Sequence, residues 1–255
     1  TGIGLHEVGR RGPGCDEGGA DRVFVVGAPL VGEGHVGATA ADIDILAGTH
    51  SLSPGGGGIR VRARWIRLHP GYDDVTLEHD VAVIQLGQDL PYGTVRPARP
   101  GDLGLYPPGV MVTTIGWGDT DIARDNQDYP LHLREVEVPI VSDVDCATAY
   151  PVGVFPGVVC AGDLVDGGED SCYGDSGGPL LVPEGPDWVQ MGIVSTGTDC
   201  ARRRFPGIYT EVAAYAFVQR YLDPDSVPDP VSGLRRRAAF GAGFLDWDAP
   251  FFDGG

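Results

Sequence analysis

The stretch Glu169–Leu180, EDSCYGDSGGPL, decides how the rest of the chain is interpreted. Ser176 lies between Asp175 and a Gly-Gly-Pro turn, and glycine allows backbone conformations with positive φ that other residues rarely adopt. Such a loop can direct the N–H groups of Gly174 and Ser176 at one point, where they would stabilise the oxyanion formed when a hydroxyl attacks an acyl carbon. A glycine-rich turn with an incidental serine is the alternative. The length of the string favours Ser176 as a nucleophile, with Gly174 and Ser176 as the oxyanion-hole donors.

This string is similar to the nucleophile loop of the chymotrypsin-like, trypsin-type serine endopeptidases. The resemblance implies an all-β fold of two antiparallel six-stranded β-barrels with a short C-terminal helix, and a site in the cleft between the barrels. Composition agrees, because 41 Gly and 21 Pro divide the apolar residues into short runs that favour strands over long helices. A serine mechanism needs no metal and no other cofactor, and no motif for either is visible in the sequence.

The resemblance extends over about residues 22–222. After Leu222 the composition changes to DPDSVPDP, which indicates a stiff polar linker. We therefore predict three parts: an irregular N-terminal lead at 1–21, a trypsin-like protease domain at 22–222 with its barrels at about 22–100 and about 109–222, and a linker with a C-terminal tail at 223–255.

The segment Glu78–Leu86, EHDVAVIQL, resembles the family segment that carries the aspartate of the catalytic triad, and Asp80 is the matching residue. Its implied role is to accept the Nδ1–H of the base histidine and to stabilise the imidazolium. An esterase of the α/β-hydrolase class is excluded by order, because there the serine precedes the acid, whereas Asp80 precedes Ser176.

A histidine is expected to activate Ser176, since a serine hydroxyl is a weak nucleophile until an imidazole takes its proton. The chain has six histidines, none of them in the Thr-Ala-Ala-His-Cys motif of the family. His35 lies nearest in sequence to the absent segment and is the candidate base. His79 adjoins Asp80, but neighbouring side chains on a strand point to opposite faces. His50 and His69 are interpreted as structural residues. Nothing in the sequence favours His6 or His132 as the base.

A substrate pocket follows from the resemblance, residue by residue. Asp170 lies six positions before Ser176, where trypsin-type members place an acid at the base of the pocket, and a carboxylate there would select Arg or Lys side chains. Gly197 and Gly207 match the glycines that leave the pocket walls open. Ser195 matches the edge strand that pairs with the substrate backbone.

Asp175 resembles the buried aspartate of the family, whose carboxylate pairs with the α-amino group released on activation. No match to the Ile-Val-Gly-Gly start that supplies this amino group is found in Thr1–Asp21. The sequence therefore identifies Asp175 as the acid of this ion pair, but it does not identify the amino group that would pair with it.

The cysteines indicate an oxidising environment. Four of the five have spacings that the family pairs as Cys146 with Cys160 and Cys172 with Cys200, which leaves Cys15 over. Disulfides persist outside the reducing cytoplasm, so we expect a secreted, extracellular protein.

Net charge limits the classes of partner. The chain carries 36 acidic against 18 basic residues, a formal net charge of −18, and every basic residue is Arg. Nucleic acid is an improbable partner, because phosphate binding needs a basic face. No apolar run approaches the eighteen or so residues of a membrane span. The expected partner is a peptide or protein substrate that contains Arg or Lys, and we expect a monomer.

Two functions of different classes remain open. The first is a secreted trypsin-like serine endopeptidase that cleaves after Arg or Lys through an acyl-enzyme. The second is an inert homologue with the protease fold, lacking a general base, which binds basic peptides or partner proteins in the same pocket.

Overall fold

The computed structural model describes residues 23–27, 40–121, 127–151, 154–222, 235–237 and 244–246. These residues contain thirteen strands and two short α-helices, with 3₁₀ turns between some of them. The strands are β1 Val23–Val26, β2 Asp44–Ala47, β3 Ile59–Leu68, β4 Ala82–Leu86, β5 Arg96–Pro97, β6 Met111–Gly116, β7 Arg134–Val141, β8 Val158–Ala161, β9 Pro179–Glu184, β10 Asp187–Thr196, β11 Gly207–Glu211, β12 Arg235–Arg237 and β13 Phe244–Asp246. The helices are α1 Asp143–Ala149 and α2 Ala216–Leu222.

Strands β6 to β11 form a closed antiparallel barrel. The order is β11-β8-β7-β6-β9-β10, and β10 pairs back with β11, so none of these six strands is left as a free edge. Its core contains wholly buried side chains, among them Val112, Val138, Leu180, Met191 and Tyr209. Strand β5 joins this sheet in parallel with β10.

The first half of the chain contributes an antiparallel sheet of order β1-β4-β3-β2 among the described residues. Strand β4 is buried along its whole length, whereas β3 alternates between buried and exposed positions. Val61 and Ala63 point inward from β3, and Arg60, Arg62 and Arg64 are exposed. This half has its own core, formed by Val26, Ile45, Ala47, Val61, Ala63, Ala82, Ile84, Leu86 and Leu90.

The predicted fold class is confirmed, because the architecture is antiparallel β with a closed six-stranded barrel and a short helix near residue 222. In the first half, four strands are described, where the resemblance implies six. The segment 28–39 between β1 and β2 lies outside the described residues. Within the described residues, no helix is long and apolar enough to span a membrane.

Two disulfides hold the second barrel and its loops. Helix α1 begins after Ser142, whose Oγ accepts the Asp145 N–H at 3.1 Å, and it places Cys146 against Cys160 of β8. Cys172 of the nucleophile loop is bonded to Cys200, in the loop after β10. These are the pairs that the resemblance implies, and Cys15 lies outside the described residues.

An arginine clamp ties the connection between the two halves to the barrel. Arg96 of β5 donates from Nε to Glu184 Oε2 at 2.9 Å and from a terminal nitrogen to Glu184 Oε1 at 2.5 Å. Its other terminal nitrogen lies 2.5 Å from Asp102 Oδ2. The side chains of Arg96 and Asp102 are mostly buried, at 28% and 19% exposed, so this pair is less screened by solvent than a surface ion pair.

We expect Arg96→Met to lower the free energy of unfolding by about 1–3 kcal/mol, because it leaves two carboxylates without their charge-assisted hydrogen bonds. Urea denaturation measures the change. Arg60→Met is the matched control: Arg60 lies 3.8 Å from Asp44 and is 64% exposed, so its removal should cost no more than about 1 kcal/mol. Equal losses in the two variants would show that the clamp adds nothing beyond a surface pair.

Candidate active site

The nucleophile loop turns at glycines on either side of Ser176. Gly174 and Gly177 have φ angles of 98° and 83°, a conformation that side chains disfavour. The loop is tied to β10, since Gly177 N–H donates to Val194 O at 2.7 Å and Val194 N–H donates to Gly178 O at 2.9 Å. The Ser176 side chain is half-buried at the end of this turn.

The N–H groups of Gly174 and Ser176 are the predicted oxyanion donors. Among the described residues, no backbone carbonyl accepts a hydrogen bond from either group. The turn is instead closed by its neighbours, because Asp175 N–H donates to Cys172 O and Gly178 N–H donates to Asp175 O. Among the described residues, the two predicted donors therefore take no part in the hydrogen bonds that close the turn.

Asp80 is buried where the first half meets the barrel, with 0% of its surface exposed. Ser195 donates from Oγ to Asp80 Oδ2 at 2.6 Å, and Thr210 donates from Oγ1 to the Asp80 carbonyl at 2.8 Å. Both hydroxyls come from the barrel, on β10 and β11. A buried carboxylate requires such partners, because an uncompensated buried charge is strongly destabilising.

Gly27 brings the nucleophile loop next to Asp80. A Cβ at Gly27 would lie 2.9 Å from Gly177 Cα and 3.2 Å from Asp80 Oδ1, closer than real side chains allow. The end of β1, the nucleophile loop and Asp80 therefore pack together with no room for a side chain between them.

The structure packs His79 into an aromatic cluster. Its backbone is left-handed, with a φ of 55°, and its ring lies 4.6 Å from the His69 ring and 5.9 Å from the Tyr215 ring between centroids. Burial is the main cause that lowers the pKa of His69, and the neighbouring His79 lowers it further. Burial is the main cause that raises the pKa of Tyr215 to about 12, and the charge of Asp80 is the next cause. The aromatic cluster is therefore close enough to Asp80 to be affected by its charge.

No histidine in the described part of the chain is hydrogen-bonded to Ser176. His50 and His132 are exposed near the bridge between Ser51 and His132, where the two halves of the chain meet. The candidate base His35 and His6 lie outside the described residues.

Asp170 lies at the base of the predicted pocket. Its Oδ1 accepts the Ser171 N–H at 2.8 Å and its Oδ2 accepts the Ala201 N–H at 3.1 Å. Burial raises the pKa of Asp170 to about 6, against the lowering effect of these hydrogen bonds. Below this carboxylate, Ser171 Oγ lies 3.1 Å from the buried Tyr209 hydroxyl. The carboxylate thus becomes charged only near neutral pH, where a cationic ligand would stabilise the charged form.

The two predicted wall glycines differ in how much space surrounds them. A Cβ at Gly207 would lie 2.9 Å from Asp170 Oδ1 and 3.0 Å from the Tyr209 ring. A Cβ at Gly197 would meet its nearest atom, Asp199 O, at an ordinary 3.7 Å. Gly207 is therefore required by the close approach of Asp170, whereas Gly197 keeps open space beside it.

Asp175 borders a cavity of about 390 Å³. Its Oδ1 accepts the Gly118 N–H at 2.8 Å and its Oδ2 accepts the Cys172 N–H at 2.9 Å, and burial raises its pKa. Glu169 and Asp170 also line this cavity, so three acids from one loop border the same space, together with Asp119, Glu135 and Arg134. Among the described residues, no group of three or more His, Cys, Asp or Glu could hold a metal ion.

Three residues near these groups were missed by sequence reasoning. Thr210 is wholly buried in β11. The sequence could have indicated its role, because a hydroxyl inside an apolar strand needs a hydrogen-bond partner. Gly27 was interpreted as part of a turn, without regard to packing. Tyr150 donates its hydroxyl to the Pro206 carbonyl and supports the loop that precedes Gly207, a contact that no local pattern indicates.

The side chain of Ser195 has a contact of its own, while the pairing of its strand with the substrate backbone stays a prediction. Its side chain is buried and directed at Asp80, and the pairing of β10 with β11 shifts register between Val194 and Thr196. This bulge changes the direction of the side chain, as bulges do beside active sites.

Comparison with known proteins gives one consistent family. The trypsin family model matches residues 25–218. Trypsin of Saccharopolyspora erythraea is 36% identical over 181 residues, which cover 71% of this chain and 75% of that protein. Trypsin of Xenopus laevis is 34% identical over 184 residues, covering 71% and 73%, and trypsin-1 of Astacus astacus is 36% identical over 174 residues, covering 67% and 71%.

We expect Ser195→Ala to lower the free energy of unfolding by about 1.5–3 kcal/mol, because the buried Asp80 carboxylate loses a charge-assisted hydrogen bond. Urea denaturation at neutral pH measures the change. Ser171→Ala is the matched control, since the same substitution there removes a bond between two neutral hydroxyls and should cost about 0.5–1.5 kcal/mol. A larger loss at Ser171 than at Ser195 would contradict the role given to the Asp80 contact.

Proposed function

This chain belongs to the trypsin family of serine proteases, and we propose that it hydrolyses peptide bonds after Arg or Lys. The observation that carries this specificity is Asp170, a largely buried carboxylate whose hydrogen-bond partners, the Ser171 and Ala201 N–H groups and the Tyr209 hydroxyl, are uncharged. Among the described residues, no arginine forms a salt bridge with it. Burial without a cation penalises its charged form, so a guanidinium or ammonium group of the substrate is the missing partner.

The walls of the pocket suit a long side chain. Gly207 adds no side chain beside Asp170 Oδ1, where a Cβ would not fit, and Gly197 has no atom closer than ordinary van der Waals contact to a Cβ there. The disulfide from Cys172 to Cys200 joins the loop that carries Asp170 to the opposite loop. An extended Arg or Lys side chain could therefore reach the carboxylate between two covalently linked walls.

The reaction is assigned to Ser176, with the N–H groups of Gly174 and Ser176 as oxyanion-hole donors. The hydroxyl attacks the scissile carbonyl, the base takes its proton and returns it to the leaving amine, and water then hydrolyses the acyl-enzyme. Asp80 would orient the base, and Ser195 and Thr210 hold Asp80 in place. We assign the base to His35, on its position in the sequence.

An extracellular setting follows from the disulfides, which persist in oxidising compartments. The proposed substrate is a peptide or protein that contains Arg or Lys, and the proposed active species is a monomer. A cationic substrate is also attracted by the net charge of −18.

The nucleophile is tested by reaction with a fluorophosphonate probe. We expect the purified chain to be labelled and to hydrolyse an Arg-containing peptide ester, and Ser176→Ala to abolish both. His35→Ala should lower turnover by roughly 10⁴-fold or more, the loss typical of removing one member of a triad. His132→Ala is the matched control and should leave turnover unchanged, since His132 is exposed at the bridge with Ser51 and has no assigned role in the reaction.

An unlabelled chain that is folded by circular dichroism would instead support the inert homologue that binds basic peptides. Labelling that survives His35→Ala would refute the assignment of the base while leaving Ser176 as the nucleophile.

The pocket is tested with benzamidine, an aromatic cation whose binding does not depend on catalysis. Because the pKa of Asp170 is raised to about 6, the carboxylate is mostly neutral below this pH and charged above it. We expect the dissociation constant, measured by calorimetry, to be about tenfold larger at about pH 5 than at about pH 8, since affinity scales with the competent fraction.

Asp170→Asn should weaken benzamidine binding at the higher pH and remove its pH dependence. Asp163→Asn is the matched control: Asp163 also accepts two backbone N–H groups, from Val165 and Asp166, but lies outside the cavity. A pH dependence that persists in Asp170→Asn would place the cation elsewhere.

A further inference from the structure

The exposed face of strand β3 carries a row of arginines. Arg60, Arg62 and Arg64 are exposed, whereas Val61 and Ala63 between them belong to the core of the first half. Side chains two residues apart on a strand lie on the same face, about 6.6 Å apart along it. Three positive charges are therefore held in line on the surface of a chain whose formal net charge is −18.

A β-bulge adds a fourth arginine to this face. The pairing of β3 with β4 shifts register between Ala63 and Trp65, so β3 contains one residue more than its partner at this point. Beyond the shift, Ile66 packs against the core, and its neighbours Trp65 and Arg67 point outward. The Arg67 guanidinium lies 5.3 Å from the centre of the Trp65 ring. The residues that we call the arginine face are Arg60, Arg62, Arg64, Trp65 and Arg67.

The contact with Asp44 shows how this face binds a carboxylate. Asp44 of β2 lies 3.8 Å from Arg60 and 3.4 Å from Arg62, so one acid contacts two consecutive arginines of the row. The side chains of Arg60 and Arg62 nevertheless stay 64% and 66% exposed. Guanidinium groups in a row repel one another, and further carboxylates would offset this repulsion. The face can therefore bind acidic residues in addition to Asp44.

Helix α2 ends beside the arginine face. Tyr221, the residue before the last of the helix, lies 5.3 Å from Trp65 between ring centroids. Phe217, about one turn earlier, lies 5.2 Å from Tyr221 and 5.1 Å from His69. These aromatic contacts hold the end of α2 on the first half of the chain. The chain therefore leaves the helix, after Leu222, close to Trp65.

The segment that follows α2 is acidic. Residues 223–230, which lie outside the described residues, read DPDSVPDP. Asp223, Asp225 and Asp229 are its charged residues, and it contains no basic residue. Asp223 and Asp225 have the two-residue spacing of the arginines on β3, so successive carboxylates of an extended segment could each meet a guanidinium group. The charge of this segment thus complements the arginine face.

The length of the acidic segment also fits the face. Its prolines favour an extended backbone of about 3.1 Å per residue, so the stretch 223–230 would span about 25 Å. The part of β3 from Trp65 to Arg60 spans about 17 Å. A segment that starts beside Trp65 is therefore long enough to reach every arginine of the row.

A tethered segment is favoured over a separate polyanion. The net charge of −18 repels a free polyanion from the molecule as a whole. A segment attached through α2 is instead present at an effective concentration of the order of mM, because the helix already holds it near the arginines. The occupant that the charges and the chain path favour is therefore part of this chain.

We propose that the arginine face of β3 is the docking surface of the acidic segment 223–230 of the same chain. The carboxylates of the segment form ion pairs with the guanidinium groups, and the docked segment holds the end of α2 against β3. The interaction is independent of the proposed catalysis, because none of its residues belongs to the candidate active site.

The test makes use of the lysine-free sequence, since an Arg→Lys variant then contains a single side-chain amine. A carbodiimide joins an amine directly to a carboxylate that is in contact with it. We expect Arg62→Lys and Arg67→Lys, made separately in the full chain, to give amide cross-links to residues 223–230, mapped by mass spectrometry. Arg203→Lys is the matched control: Arg203 is exposed in the loop between β10 and β11 and should give no such cross-link.

The position of the cross-links decides the proposal. A mixture of ¹⁵N-labelled and unlabelled chains shows whether a cross-link lies within one molecule, and links within one molecule to residues 223–230 support the docking surface. Cross-links to Asp44 alone, or none, overturn it. Links between two molecules make a second copy the occupant and overturn it as well. An equal yield with Arg203→Lys would show that the segment has no preference for the arginine face.

The effect on α2 is measured by amide hydrogen exchange in the last turn of the helix. A carboxylate just after a helix opposes the helix dipole, so without docking Asp223→Asn/Asp225→Asn would slow exchange. We expect this variant instead to speed exchange about threefold, because ion pairs with the arginine face are lost. Asp166→Asn/Asp187→Asn changes the net charge equally at exposed positions elsewhere and should leave the rate unchanged. Slower or unchanged exchange in Asp223→Asn/Asp225→Asn would refute the proposed role of the segment.

Discussion

The buried carboxylate of Asp80 is the contact on which the arrangement of this site depends. It comes from the first half of the chain, and hydroxyls of the second barrel complete its hydrogen bonds: Ser195 at the side chain and Thr210 at the carbonyl. A charge with no exposed surface would be strongly destabilising without such partners, so the two halves must meet in this register. Gly27 lies between this carboxylate and Gly177 of the nucleophile loop, where no Cβ would fit.

The loop around Ser176 contains two largely buried acids, Asp170 and Asp175. Asp170 and Asp175 each accept two backbone N–H groups, and burial still raises the pKa of both. Backbone dipoles therefore compensate these carboxylates only in part. Both side chains line one cavity, which Arg134 also lines. The Cys172–Cys200 disulfide joins two of the loops around it.

Much of the fold could be predicted, because short alternating runs and turn residues are local signals. The apolar run of β4, the cap at Ser142 and the short terminal helix lie where the sequence indicates. The directions of side chains were harder to predict from the sequence. The sequence predicted a strand role for Ser195 and gave no sign that its hydroxyl donates to Asp80 beside a register shift in β10. His79 was expected to point away from Asp80 because strand residues alternate; its left-handed backbone instead places it in an aromatic cluster.

The sequence by itself determined the prediction of a nucleophile loop, since a serine within Gly-Asp-Ser-Gly-Gly and an acid six residues before it are properties of one short segment. Only the tertiary structure decided which groups meet. Ser195 and Thr210 lie 115 and 130 residues from Asp80 along the chain, so no local pattern links them. The raised pKa of Asp170 has the same origin, because burial is produced by loops that are distant in sequence and are brought together by packing of the barrel.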